Sequence, residues 1–204
     1  MKYVARLLVV VLVTVFVFLI AGLLATWAPD RSVEQLAIRW APSPSTWLEV
    51  AGMRVHLRDE GPRDDKEPIV LLHGTSASLH TWDGWAETLK TQRRVIRFDL
   101  PAYGLTGPNP EGDYSVEAYV RFVLQVMDTL KVQRFVLAGN SLGGQIAWET
   151  AVAHPQRVAK LVLVDAGGYP FESQSVPLAF QLARLPVLRS VMEYVLPQIG
   201  RAHV

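Results

Sequence analysis

Apolar positions divide this chain into three stretches of different character. Residues 7–25 form an almost unbroken apolar run, interrupted by Thr14 and Gly22. It is long enough to cross a hydrocarbon core of about 30 Å as a helix. With no polar face, it does not read as a surface helix of a globular domain. Residues 30–40 turn amphipathic: Ser32 and Gln35 have the spacing of a capping box, and Leu36 and Trp40 make an apolar side that faces either the membrane or the domain. Pro42 and Pro44 break that helix, so residues 41–45 read as linker. From Thr46 the pattern becomes that of an α/β domain. Residues 47–50 and 53–58 alternate around Gly52, which predicts an antiparallel hairpin. Residues 69–72 are a short continuous apolar run, as in a strand covered on both faces; 95–98 read as the next strand, and 134–138 and 158–164 as further buried strands. Between them, residues 81–89, 115–130 and 145–154 read as helices. The firmest is 115–130, where Val116, Tyr119, Val120, Val123, Met127 and Leu130 recur at helical spacing. Strand and helix in alternation predict a mostly parallel sheet built by right-handed crossovers.

Between the run at 134–138 and the next helix stands Gly139-Asn140-Ser141-Leu142-Gly143-Gly144. A serine at a strand-to-helix junction, with glycine two residues to either side, is the pattern of a nucleophile elbow. The turn forces the serine into a sparsely allowed backbone conformation, which requires neighbours without bulk. Gly139 and Gly143 supply that room, and Gly144 lets the helix approach the sheet. The Ser141 hydroxyl is thereby raised to the carboxyl edge of the sheet, at a helix N-terminus whose dipole favours developing negative charge.

These residues, with His73-Gly74-Thr75 after one strand, Asp99-Leu100-Pro101-Ala102-Tyr103-Gly104 after the next and Val164-Asp165-Ala166 after the last, resemble the α/β-hydrolase fold superfamily in its esterase, lipase and C–C hydrolase branch. The order and spacing match over about residues 46 to 170. The resemblance implies Ser141 as nucleophile, with the backbone N–H groups of Leu142 and Thr75 as oxyanion donors and no metal or organic cofactor. The Asn before Ser141 is similar to meta-cleavage C–C hydrolases, although those carry a more glycine-rich segment where this chain has Thr75-Ser76-Ala77-Ser78. An anchor ahead of such a domain resembles membrane-bound monoacylglycerol lipases.

The remaining triad members are the difficulty. In this fold the acid and the histidine follow the nucleophile. Asp165 is the candidate acid, at a position some lipases use; bracing the sheet edge is the competing role. His203 comes late enough but has no preceding strand to place it. His73 lies on the oxyanion loop and reads as a structural histidine that shapes it. His80 and Trp82 read as anchors for the following helix, Asp99 as the brace of the 101–104 turn, and His154 as a helix C-cap. His56 has no partner visible in the sequence. Residues 175–200 are apolar around Pro177, Pro186 and Pro197, and read as the start of a lid that favours hydrophobic substrates, or as packing against the rest of that lid.

Composition adds the membrane and removes several chemistries. Lys2 and Arg6 precede the apolar run while Asp30 and Glu34 follow it, which orients the N-terminus to the cytoplasm and the domain outside. The run exceeds the usual 7–15 residue core of a cleaved signal, and residues 26–29 make a poor cleavage site, so it reads as an uncleaved signal anchor. The chain has no cysteine, which excludes disulfides and thiolate chemistry, and its net charge of +1 offers no basic patch for nucleic acid. The sequence therefore predicts a transmembrane anchor (1–28), a linker with a short helix (29–45), a partial hydrolase core (46–172) and the start of a lid (173–204). The expected activity is hydrolysis of small carboxylic esters, lipid-like ones included, by an enzyme cut short before its acid and histidine. C–C bond hydrolysis or cofactor-free haloperoxidase chemistry would use the same elbow. A catalytically inactive, membrane-tethered binding module is the alternative of a different class.

Overall fold

A computed structural model of the chain describes residues 2–26, 31–169 and 185. Contacts divide the chain into residues 1–30 and 31–204. The first unit is one helix, α1 (Lys2–Thr26). Its stretch Lys2–Gly22 has a mean hydropathy of 3.0 and side chains exposed rather than packed in a core, so it is long and apolar enough for a membrane anchor or a signal sequence.

The second unit begins with α2 (Val33–Trp40), where both bonds of the capping box between Ser32 and Gln35 form. Its apolar side rests on the domain: Leu36 is buried against Leu105, with Val33, Ala37, Trp40 and Trp47 around them. Six strands follow: β1 (Thr46–Val50), β2 (Met53–Glu60), β3 (Ile69–Leu72), β4 (Val95–Phe98), β5 (Phe135–Asn140) and β6 (Val158–Val164). Helices α3 (Asp83–Leu89), α4 (Val116–Thr129) and α5 (Leu142–Ala153) connect them, and a 3-10 turn at Leu79–Trp82 leads into α3. The helix expected at 81–89 thus starts as a tighter turn capped by Ser78, and α5 starts three residues before the expected 145.

The sheet order is β1-β2-β4-β3-β5-β6, parallel from β4 through β6 and antiparallel across β1, β2 and β4. The hairpin turn between β1 and β2 places Ala51 and Gly52 at positive φ, the conformation of a two-residue turn whose twist matches the strands.

Strand alternation sorts the core into two layers. Val70, Leu72, Ile96, Phe98 and Leu137 face α4 and α5, while Ile69, Leu71, Val95 and Ala138 face Trp82 and Ala86. Side chains such as Leu72, Phe98 and Leu137 have no exposure at all, each burial stabilising by about 1.5–3 kcal/mol. β6 is different: it borders the described sheet, and Leu161, Val162 and Leu163 remain 37–38% exposed.

The chain passes from β3 to β4 on one side, then returns across β3 to β5 on the other. That reversal opens a crevice at the carboxyl ends of β3 and β5, where parallel α/β sheets place their ligand sites.

Candidate active site

Ser141 stands at this crevice with φ 51° and ψ −114°, directly between β5 and α5. Its N–H donates to the Val164 carbonyl at 3.1 Å, and its carbonyl accepts from Gln145 and Gly167, each at 3.0 Å. Asn140 Nδ2 donates to the same Val164 carbonyl at 3.2 Å. The backbone of the elbow is therefore tied to β6 and the segment after it, which holds the strained torsions in place. Ser141 is exposed, and among the described residues its hydroxyl has no hydrogen-bond partner.

Steric crowding accounts for the glycines. A Cβ on Gly139 would lie 2.1 Å from the Gly143 carbonyl oxygen, and one on Gly143 would lie 2.3 Å from that of Leu72. Gly144 faces Ala166 in the same way, at 2.7 Å. Strand, elbow and helix thus approach at backbone distance, as expected from the sequence.

The loop after β3 reaches the serine. A Cβ on Gly74 would touch the Asn140 Oδ1 at 3.0 Å and the Ser141 Cβ at 3.1 Å, so Gly74 packs on the elbow, and exposed Thr75 is the next residue of the loop. The N–H groups of Thr75 and Leu142 have no acceptor among the described residues. An oxyanion site requires two such donors aimed beside the nucleophile.

His73 shapes this loop. It is fully buried; Nδ1 donates to the Gly74 carbonyl at 2.8 Å and Nε2 accepts from the Leu100 N–H at 3.0 Å. Those partners fix the tautomer. Burial holds its pKa below the usual histidine range, outweighing the attraction of Asp99. The ring is neutral and both nitrogens are occupied, so it is no base for Ser141.

Asp99 does more than brace its own turn. Its carboxylate accepts from Leu105 N–H at 2.8 Å, from Leu79 N–H at 2.7 Å and from His56 Nδ1 at 2.8 Å. Gly104, at positive φ, lies so close that a Cβ would meet the carboxylate at 2.2 Å. Burial by itself would raise the Asp99 pKa; the hydrogen bond from His56 and the other donors outweigh it and hold the group below the usual carboxylate range. The sequence left His56 without a partner because the two lie 43 residues apart. A signal was present in the period-2 pattern: His56, Arg58 and Glu60 share one face of β2, and Arg97 lies on the matching face of β4. Arg97 is buried and bonded to Glu60 at 2.9 Å and to Asp83.

Asp165 follows β6 at φ 45°. Its neighbours Ala166 and Gly167 touch the elbow, while Asp165 itself is exposed with no hydrogen bond among the described residues. His154 is the C-cap of α5, its N–H bonded to Thr150, at the end of that helix away from Ser141. His80 binds Asp83 and the Trp40 carbonyl. None of the described histidines is placed to take the Ser141 proton. His203 and the lid-like stretch 175–200, apart from Leu185, lie outside the described residues.

A family model for the alpha/beta hydrolase fold matches residues 67–196. The 2-hydroxy-6-oxo-2,4-heptadienoate hydrolase of Pseudomonas putida is 34% identical over 149 residues, 70% of this chain and 52% of its own length. The 2-hydroxymuconate semialdehyde hydrolase of Pseudomonas sp. (strain CF600) is 33% identical over 134 residues, 63% of this chain and 46% of its own. A crystal structure of a membrane phospholipase A, a bacterial virulence factor, is similar with a TM-score of 0.64 and 26% identity, covering 92% of this chain and 61% of that one. The chain spans about half the length of the curated relatives it matches.

Proposed function

Because this chain belongs to the α/β-hydrolase fold family, we propose that it acts as a membrane-anchored serine hydrolase, with Ser141 attacking the carbonyl of a carboxylic ester. The observation that carries this reading is the exposed Ser141 hydroxyl, held at positive φ at the start of α5 and without a hydrogen-bond partner among the described residues. As the serine oxygen bonds to the carbonyl carbon, the N–H groups of Leu142 and Thr75 receive the oxyanion. Collapse of the tetrahedral adduct releases the alcohol and leaves an acyl-enzyme on Ser141, which water then hydrolyses. Among the described residues no histidine is placed to accept the serine proton, so the reading requires a base besides them. Asp165 is the candidate acid, placed beside the elbow, and it needs a histidine between itself and Ser141 to act as one.

Likeness to a membrane phospholipase A over most of the chain supports lipid esters as substrates. C–C bond hydrolysis is the second reading, supported by two curated relatives whose names are those of dienoate and semialdehyde hydrolases. In both, the same elbow would meet a carbonyl carbon. Residues 1–28 would anchor the enzyme, with Lys2 and Arg6 in the cytoplasm and the domain outside.

The test is labelling of the full chain in detergent micelles with a fluorophosphonate probe, mapped by mass spectrometry and compared with Ser141→Ala. Label on Ser141 with turnover of p-nitrophenyl esters supports the ester reading. Label with turnover only of a vinylogous 1,5-diketone acid assigns the C–C reading. A folded chain with no label on Ser141 overturns both and leaves a tethered binding module. Protease protection in inverted against right-side-out vesicles tests the orientation.

A further inference from the structure

The loop that carries Thr75 is fixed at its two ends and little between. Upstream, His73 bonds Gly74 and Leu100. Thr75 and Ser76 are exposed, and Ser76 adopts φ 56°. Downstream, Leu79 is fully buried, with its N–H on Asp99. The direction of the Thr75 N–H is therefore set by how firmly those ends are held, and a donor misplaced by about 1 Å can cost about 100-fold in rate.

What holds the downstream end comes from outside the sheet. His80 Nε2 donates to the Trp40 carbonyl at 2.8 Å, at the last residue of α2, and its Nδ1 lies 3.0 Å from Asp83. The Trp40 ring packs against it, with centroids 5.7 Å apart. A second chain runs from Ser45, where the linker enters β1: its hydroxyl accepts from Arg58 Nε at 3.0 Å and bonds His56 Nε2 at 2.9 Å. His56 bonds Asp99, and Asp99 bonds the Leu79 N–H. The two histidine rings are 6.2 Å apart, so both chains converge on Leu79 and His80. Arg97 closes the cluster through the Leu79 carbonyl at 3.3 Å and Asp83.

We propose that His80, supported by the Ser45–His56–Asp99 chain, is a positioning residue that makes α2 and the 41–45 linker a prop of the oxyanion loop. The segment between the apolar N-terminal helix and the hydrolase core is then a working part of the site. This inference rests on assigning Thr75 to the oxyanion hole.

The experiment compares the full chain in detergent micelles with His80→Ala, His80→Gln and Ser45→Ala, by amide exchange and by fluorophosphonate labelling of Ser141. His80→Ala is expected to exchange about 10-fold faster over residues 74–78, and its limiting labelling rate to fall about 10-fold with unchanged probe affinity. His80→Gln, which keeps a donor toward Trp40, should restore both, and Ser45→Ala should fall between. Exchange at 74–78 that stays at the wild-type rate while residues 31–45 loosen would overturn the proposal. A loosened loop in a protein whose wild-type Ser141 is never labelled would sink the catalytic reading and leave the prop intact. Should His80→Ala not fold, Ser45→Ala decides the matter, since it removes one hydroxyl from an otherwise unchanged core.

Discussion

Substituting Gly143 by alanine tests the elbow where α5 meets the backbone of β3. The added Cβ would lie 2.3 Å from the Leu72 carbonyl oxygen and 2.5 Å from that of His73. Reaching the 3.4 Å of an ordinary contact requires a retreat of about 1.1 Å from Leu72. The obstacle is the backbone of β3, a strand buried on both faces and paired with β4 and β5, so it cannot swing away as a flexible side chain would. The N-terminus of α5 moves instead, carrying Leu142 and its N–H. Overpacking of this kind costs about 1–3 kcal/mol, and each kcal/mol lowers the melting temperature by about 2–4 °C in a chain of this size. A displacement of about 1 Å at the oxyanion donor should also slow Ser141 labelling by about 100-fold. Gly84→Ala is the matched control: nothing lies within 4 Å of its Cβ, and the site is an exposed helical position where alanine adds about 0.5–1 kcal/mol. Thermal unfolding and probe labelling, run side by side, read both effects. If Gly143→Ala melts with the wild type and labels within about twofold of it, the steric account of the elbow is wrong.

Other expectations follow from the same geometry. Ser141→Gly should relieve the positive φ, raising stability by about 1 kcal/mol while abolishing labelling, a trade visible in one pair of melting and labelling curves. His73 has a folded pKa below its unfolded value of about 6.5, so the stability it contributes is full above that pH and is lost as pH falls through the folded value. Asp99, also depressed, adds a second loss below about pH 4. Melting temperature should therefore begin to fall below about pH 6.5, and His73→Asn should flatten the step above pH 4; a wild-type curve flat from pH 7 to pH 5 would contradict the buried neutral ring. Arg97→Ala leaves buried Glu60 with Lys90 as its remaining cation and Asp83, half exposed, without its Arg97 contact, so the cost by chemical denaturation should fall short of the ~3–5 kcal/mol of a fully unpaired buried charge, at about 2–3 kcal/mol; a loss under about 1 kcal/mol would mean the network is not formed in solution.

The fold was legible wherever one local rule decided the outcome. The strands β3, β4 and β6 begin and end where their expected runs do, and β3 and β4 are buried along their whole length, as strands covered on both faces are. Helix α4 differs by one residue at each end from the expected range, since Ser115 serves as its N-cap. Legibility failed where packing overrode local preference. Gly143 and Gly144 are poor helix formers, yet α5 begins at Leu142, because only glycines let it lie against β3 and Ala166. At the site, the elbow that carries Ser141 and the crowding at its glycines could be read from one motif and one family resemblance.

The buried polar face was not legible, and the reason lies in sheet order. His56 and Asp99 meet only because β2 lies antiparallel beside β4, a neighbour relation that no spacing along the chain encodes. The same holds for His80 and Trp40, 40 residues apart. A lone histidine on a strand and another in a turn each read as ordinary side chains. Once β4 is set between β2 and β3, the polar positions of β2 and β4 fall on one face, where Asp83 and Lys90 meet them. Buried charges persist there because each is matched: Arg97 by Glu60 and Asp83, Asp99 by His56 and two backbone donors. That face is continuous with the turn that ends the Thr75 loop. Its cost is therefore tolerated beside the loop whose N–H direction a hydrolase would most need to hold, and the apolar layer on the opposite face supplies the stability that offsets it.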